Sequence, residues 1–214
     1  MTVAAIVVAG GQGARFGGPK QFERLGDASV AAHSVRVARS VASRVVLVVP
    51  EGYSGNGEGA DIIVAGGPSR ASSVRAGLAQ CGEVDVIVVH DAARPAASAA
   101  LFKSVVEAVR AGADAAIPGL AITDTVKRVD AEGATLVVRE TVPRGDLVTV
   151  QTPQAFRREV LMRAHERSDD ATDDAALVEA LGARVVVVAG EISNIKITEP
   201  DDLSRAGALV RSTQ

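Results

Sequence analysis

"VAAIVVAGGQGARFGGPKQF", residues 3 to 22, joins an unbroken apolar run to a glycine-rich loop and two cations, Arg15 and Lys20. The run lacks polar alternation, so it fits a strand covered on both faces, as in a parallel sheet. No acid occurs in the first twenty-two residues, although the 214-residue chain carries a net charge of −3. Glycines followed by positive charge suit an anion, because without Cβ atoms backbone N–H groups can approach a phosphate chain closely. The segment has no basic n-region and is too short to span a bilayer, so it reads as the first strand of a cytoplasmic protein rather than a leader.

Six more short apolar runs follow: "RVVLVVP" from Arg44, "DIIVAG" from Asp61, "VDVIVVHD" from Val84, "ADAAIPG" from Ala113, "LVTVQTPQ" from Leu147 and "RVVVVAG" from Arg184. Between them, helical spacing marks 28–42, 69–81, 98–111, 156–167, 173–181 and 199–211. The alternation predicts an α/β fold with a doubly wound, mostly parallel, Rossmann-like sheet, residues 1–214 forming one domain. In such sheets ligands bind beyond the carboxyl ends of the strands. That directs attention to Ala9 to Lys20, "AGGPSRASS" from Ala65, "HDAARP" from His90 and "TPQ" from Thr152.

Residues 121–146, "AITDTVKRVDAEGATLVVRETVPRGD", break the rhythm with charges set between β-branched residues around "DAEG". They predict a protruding β-hairpin arm. A lone hairpin is marginal in water, so it should rest on its own domain or on a second copy of the chain. "SGNGEG" at 54–59 reads as a flexible connection.

Composition excludes several roles. The apolar share is 47%, drawn mainly from Val and Ala, with no Trp, one Tyr and four Phe, which argues against base stacking on nucleic acid. A mildly acidic balance argues against a general nucleic-acid binder. Cys81 stands alone, so no intramolecular disulfide can form, and it reads as a buried thiol in a reducing compartment.

Two familiar phosphate motifs fail on the opening loop. Counting from Gly11, a dinucleotide fingerprint meets Phe16 where its last glycine belongs, and counting from Gly13, a Walker A loop meets Pro19, Lys20 and Gln21. The physics survives: Arg15 offers a planar fork and Lys20 a compact ammonium, neither of them a base, which is the logic of charge stabilisation in phosphoryl or nucleotidyl transfer. Taken alone, the loop is equally a tight turn with solvated cations.

Seven blocks in order, "AGGQGARF" with "GGPKQF", "GGPSRASSV", "VHDAARP", "TDTVKR", "VQTPQAF" and "NIKITEPDDL", span essentially the whole chain. Together they resemble the 2-C-methyl-D-erythritol 4-phosphate cytidylyltransferases of the non-mevalonate isoprenoid pathway, whose fold is of the nucleotide-diphospho-sugar transferase type. The resemblance implies a Mg²⁺-dependent reaction of CTP with methylerythritol phosphate, the ion held mainly through the CTP phosphates and not by a protein metal site. By the same resemblance Ala9, Gly10, Gly11 and Gly13 cradle CTP, Gly67 and Ser73 read the cytosine, and Ala92 lies by the nucleotide. Arg15 and Lys20 fall on the transition-state stabilisers, Arg144 grips the attacking phosphate, and Lys196, held by Asn194, bridges nucleotide and acceptor. Asp91, Arg94, Thr125 and Thr152 fall on acceptor-side positions, with Asp91 facing either substrate hydroxyls or the metal region. The arm would cross between subunits of a homodimer. Thr172 and Asp173 match a position near the site.

Residue chemistry sets limits on these roles. His90 at a strand end is expected to be a satisfied structural residue, since a phosphate monoester needs no general base. Lys196 in the run "ISNIKIT" is expected on a strand, where it would need an anion to offset desolvation. The acidic run from Glu166 is expected to cap the helix that follows. Competing readings are a ribitol 5-phosphate cytidylyltransferase, a non-catalytic nucleotide sensor and a nicotinamide dehydrogenase.

Overall fold

A computed structural model describes residues 1–11, 13, 16–166 and 171–213. Its centre is an eight-stranded sheet. Four strands lie in the order β6 (Val86–Asp91), β1 (Val3–Val8), β4 (Arg44–Val49) and β5 (Ile62–Ala65), all parallel, with β11 (Gln154–Arg157) antiparallel on the other side of β6. β11 also pairs with β7 (Ala115–Ala121), and β10 (Val148–Val150) continues along the same edge of β7. β12 (Val185–Ala189) pairs parallel with β7 across residues 115–119, so it occupies the opposite edge.

The central strands β1, β4 and β6 are largely apolar, and their two faces feed two cores. Val3, Ala5 and Val7 of β1 join Val45, Leu47, Val86 and Val88 under α1 (Val30–Ala38) and α3 (Ala99–Arg110). Ala4 and Ile6 join Val46, Val48, Ile87 and Val89 under α2 (Arg70–Leu78), α4 (Arg158–Glu166) and α5 (Asp174–Glu179). Helices therefore cover both sides, which is what doubly wound means. Gly77 lets α2 sit close: a Cβ there would come within 2.6 Å of Ile6 Cγ2. A third, smaller core places α6 (Pro200–Thr213) over Leu25, Val30 and Ile197.

Several boundaries differ from the sequence expectation. The helix expected from 28 begins at Val30, because Ala28–Ser29 is strand β3, paired with β2 (Arg24–Leu25), and Ser29 caps the helix through its hydroxyl. The helix expected from 156 begins at Arg158; Phe156 is fully buried within β11. β5 is not covered on both faces, since it ends the sheet and leaves Ile63 exposed. No strand forms at "ISNIKIT": Lys196 lies on a loop, fastened by the Ile197 N–H donating to Ala93 O at 2.8 Å.

The arm is a separate two-stranded sheet, β8 (Val126–Glu132) and β9 (Thr135–Val142), with a register shift between Arg128 and Val129. Asp130 to Glu132 belong to β8, and the chain reverses at Gly133–Ala134 rather than across "DAEG".

Candidate active site

The carboxyl ends of β1 and β6 and the first turn of α2 enclose a cleft of about 510 Å³, within the range of small-ligand sites. Three loops that are distant in sequence line it. Ala9, Gly10, Gly11, Gly13 and Lys20 come from the first, Gly67, Arg70 and Ser73 from the second, and Asp91 and Lys196 from strand β6 and the loop before α6. All of these except Arg70 are sequence candidates, and the fold gathers them. Arg15 lies outside the described residues.

The first loop is shaped by its own backbone. Gly13 has φ +66°, and its carbonyl accepts from the N–H groups of Phe16, Gly17 and Gly18 at 2.9, 3.0 and 3.3 Å. A Cβ at Gly13 would lie 1.8 Å from Gly18 O, so a side chain is excluded outright. The loop ends in a 3-10 turn, Lys20–Phe22, whose Gln21 is almost fully buried and donates through Nε2 to Ala9 O (2.6 Å) and Gly11 O (2.9 Å). One amide thus ties the loop's two ends together and fixes where Lys20 stands. Phe22 stacks on Tyr53 with centroids 4.7 Å apart, and Tyr53 and Ser29 both bond to Glu58. The connection at 54–59 is therefore pinned, contrary to the expectation of a loose one. Gln21→Met keeps the volume but strands two carbonyls, which costs about 1–3 kcal/mol. It is expected to weaken CTP binding about tenfold, measured by calorimetric titration; unchanged affinity would mean that the tie does not shape the site.

The second loop is held by caps. Ser69 and Ser72 form a reciprocal capping box at the start of α2. Ser73 Oγ accepts from Gly67 N–H at 3.2 Å and donates to Ser69 O at 2.9 Å, so the hydroxyl that the resemblance assigns to base reading also fixes the loop.

Charge converges on Asp91, the one carboxylate among the described residues lining the cleft. Its Oδ2 meets Lys196 Nζ at 2.7 Å and its Oδ1 meets Arg70 Nη2 at 3.6 Å. Burial pushes this carboxyl upward, but Lys196, Arg70 and Arg94 outweigh it and hold it at about 2. Asp91 N–H donates to Thr152 Oγ1 at 3.0 Å, and the same hydroxyl lies 3.1 Å from His90 Nδ1. His90 Nε2 lies 3.2 Å from Arg94 O. One assignment satisfies all three: Thr152 donates to Nδ1, and a neutral imidazole donates from Nε2. Burial lowers His90 to about 4, consistent with that neutral form.

The other described candidates stand off the cleft wall. Ala92 is fully buried, its N–H donating to Val8 O and its carbonyl accepting from Ser34 Oγ, so Ala93 rather than Ala92 reaches the cleft. Thr152 is turned inward to His90 and to the Asp91 backbone, which makes it a support and not a contact surface. Arg94 donates to Asn194 O at 2.8 Å and braces the loop that carries Lys196. Asn194 is fully buried and donates to Thr152 O at 2.9 Å. Thr125 and Arg144 are exposed at the two ends of the arm. Asp173 caps α5 through Ala176 N–H, while 167–170 of the acidic run lie outside the described residues.

A family model described as 2-C-methyl-D-erythritol 4-phosphate cytidylyltransferase (IspD) matches residues 3–212. The chain belongs to this family. A cytidylyltransferase of that name from Rhodococcus jostii is 45% identical, with 97% of this chain and 95% of the relative aligned. A bifunctional IspD/IspF enzyme of Anaeromyxobacter dehalogenans is 47% identical over 98% of this chain, which spans only 57% of that longer protein. The crystal structure of the Thermus thermophilus cytidylyltransferase superposes with a TM-score of 0.83 at 34% identity, covering 99% of this chain and 100% of that one. Membership makes this a nucleotidyltransferase with the expected Rossmann-like α/β fold, and it disfavours the ribitol phosphate, sensor and dehydrogenase readings.

Within this cytidylyltransferase site, sequence reasoning passed over Gln21, Arg70 and Asp174. Arg70 carried a signal: a cation at the first position of a helix opposes the macrodipole unless carboxylates compensate it. Gln21, between Lys20 and Phe22, carried none, because its burial depends on the path of the folded loop.

The same electrostatics predict acid behaviour. His90 titrates well below its unfolded value of about 6.5, so as pH falls from about 6.5 towards 4 the unfolded chain takes up a proton that the folded one refuses, and stability drops. Asp91 is also depressed, from about 3.9 unfolded; its contribution is complete above that value and is lost as pH falls towards 2. Melting temperature should therefore decline in two stages, and Asp91→Asn should flatten the lower one. An unchanged lower stage would contradict the ion-pairing drawn here.

Proposed function

We propose that this chain transfers the cytidylyl group of CTP to 2-C-methyl-D-erythritol 4-phosphate, releasing pyrophosphate and forming 4-(cytidine 5'-diphospho)-2-C-methyl-D-erythritol. One observation carries it: a bare glycine loop, Lys20, Arg70 and Lys196 surround a single ionised carboxylate at the sheet's ligand edge, in a chain of this family.

An oxygen of the acceptor phosphate attacks the α-phosphorus in line, and the bond to the β-phosphate's bridging oxygen breaks. A phosphate monoester is largely ionised near neutrality, its second pKa being about 6, so no base is needed; His90, buried beneath the site, is free to serve structure. The pentavalent centre places negative charge on oxygens that Arg15 and Lys20 are suited to meet. Lys196, its side chain 44% exposed on a loop, can exchange Asp91 for substrate phosphate. Gly67 and Ser73 satisfy the cytosine edge.

Bound Mg²⁺ would offset triphosphate charge. An ion held mainly by the nucleotide would find one further oxygen ligand in the cleft, the Asp91 carboxylate.

The arm, residues 121–146, serves a homodimer of a 214-residue single-domain chain. Val129, Leu136, Val137 and Val138 on the arm and Val148 and Val150 on β10 expose apolar side chains that a second copy would cover. Thr125 and Arg144 would then reach the partner's cleft and hold the acceptor. No helix among the described residues is long and apolar enough to cross a membrane. We place the enzyme in the cytoplasm, where CTP is made and a lone thiol such as Cys81, pushed by burial up to about 12, stays inert.

The test is pyrophosphate release across the four nucleoside triphosphates, each paired with methylerythritol, ribitol and hexose phosphates. Release confined to CTP with methylerythritol phosphate is expected. Preference for ribitol phosphate, or silence with every pair, would overturn the assignment.

A further inference from the structure

Behind the cleft runs a chain of polar side chains, Arg70, Asp174 and His165, that the reaction does not itself require. Arg70 Nη1 meets Asp174 Oδ2 at 2.7 Å, and Asp174 Oδ1 meets His165 Nε2 at 2.9 Å. Asp174 and His165 are buried in the packing of α4 and α5. Arg70 therefore spans two carboxylates, with one guanidinium nitrogen on Asp174 and the other facing Asp91. That second nitrogen, Nη2, is buried and makes no hydrogen bond among the described residues.

The two cations on Asp91 differ in what holds them. Lys196 stands on a loop and is expected to turn to substrate phosphate. Arg70 stands in the first turn of a capped helix and is anchored from behind. A cation at a helix N-terminus works against the macrodipole, so stability alone does not select it there. Once Lys196 has left, Asp91 Oδ1 still has a fixed partner 3.6 Å away, close enough to tighten into a charge-assisted hydrogen bond.

We propose that Arg70 is a positioning residue, held by Asp174 and His165, that keeps the Asp91 carboxylate oriented in the cleft while Lys196 engages substrate. The inference rests on the cytidylyl transfer proposed above. Lysine at position 70 keeps the charge but cannot fork between two carboxylates.

The test is a double-variant cycle of Arg70→Lys and Asp91→Asn, read both in kcat/KM for the acceptor and in the dissociation constant for CTP, with melting temperature alongside. Arg70→Lys is expected to lower kcat/KM by about ten- to a hundredfold, the scale of a misplaced reacting group. In the Asp91→Asn background it should do little more, because both changes act on one carboxylate. Asp174→Asn, which keeps shape and cuts the anchor, should reproduce Arg70→Lys and serves if that variant folds poorly. Wild-type kinetics and CTP affinity in Arg70→Lys, or losses that multiply in the double variant, would overturn the assignment. A wild-type chain that releases no pyrophosphate sinks the transfer reading instead, and the cycle in CTP affinity still decides the role of Arg70.

Discussion

Lys20→Ala is expected to lower pyrophosphate release by about 10²- to 10³-fold while CTP still binds, the cost of losing one preorganised charge that acts mainly in the transition state. The expectation rests on position. Lys20 opens the 3-10 turn that Gln21 ties to Ala9 and Gly11, so its backbone has little freedom to drift. Turnover is measured by coupled phosphate detection and binding by titration. Unimpaired turnover would remove Lys20 from the reaction; loss of turnover and affinity in equal measure would recast it as a ground-state contact.

Arg144→Ala should chiefly raise KM for the acceptor phosphate, by about a hundredfold for a lost charge-assisted fork. Because Arg144 stands exposed on the arm, its effect is expected to cross the dimer. At acceptor concentrations well below the raised KM, where each variant alone is nearly silent, mixing Lys20→Ala chains with Arg144→Ala chains, after dissociation and reassociation, should restore about a quarter of wild-type activity: half of the re-formed dimers are mixed, and each has one intact site. Absence of recovery with mixed dimers demonstrably present would put Arg144 in its own chain's cleft or outside the site altogether.

Much of the fold was legible because parallel strands buried on both faces write themselves as Val- and Ile-rich runs, as at Val3 and Arg44. What hid were elements whose state depends on neighbours far away in sequence. Phe156 and Arg157 read as a helix start, yet they complete the strand Gln154–Arg157 because β6 and β7 leave a slot for it. "ISNIKIT" has strand propensity but no edge to pair with, so it stays a loop. The glycine loop, Lys20 and Asp91 could be read from the strand-end rule. Arg70 and Asp174 could not be paired, since 104 residues separate them. Thr152 was placed at the right end of the sheet but on the wrong side of Asp91, because sequence does not reveal that a buried histidine beneath claims its hydroxyl.

The insertion of β11 between β6 and β7 also governs the order of assembly during synthesis. Both flanking strands leave the ribosome well before their shared neighbour, so the middle of the sheet stays unzipped until residue 157 is out. The loop bearing Lys196 arrives later still. The glycine loop, Arg70 and Asp91 are therefore made well before Lys196, the last residue in sequence to line their cleft.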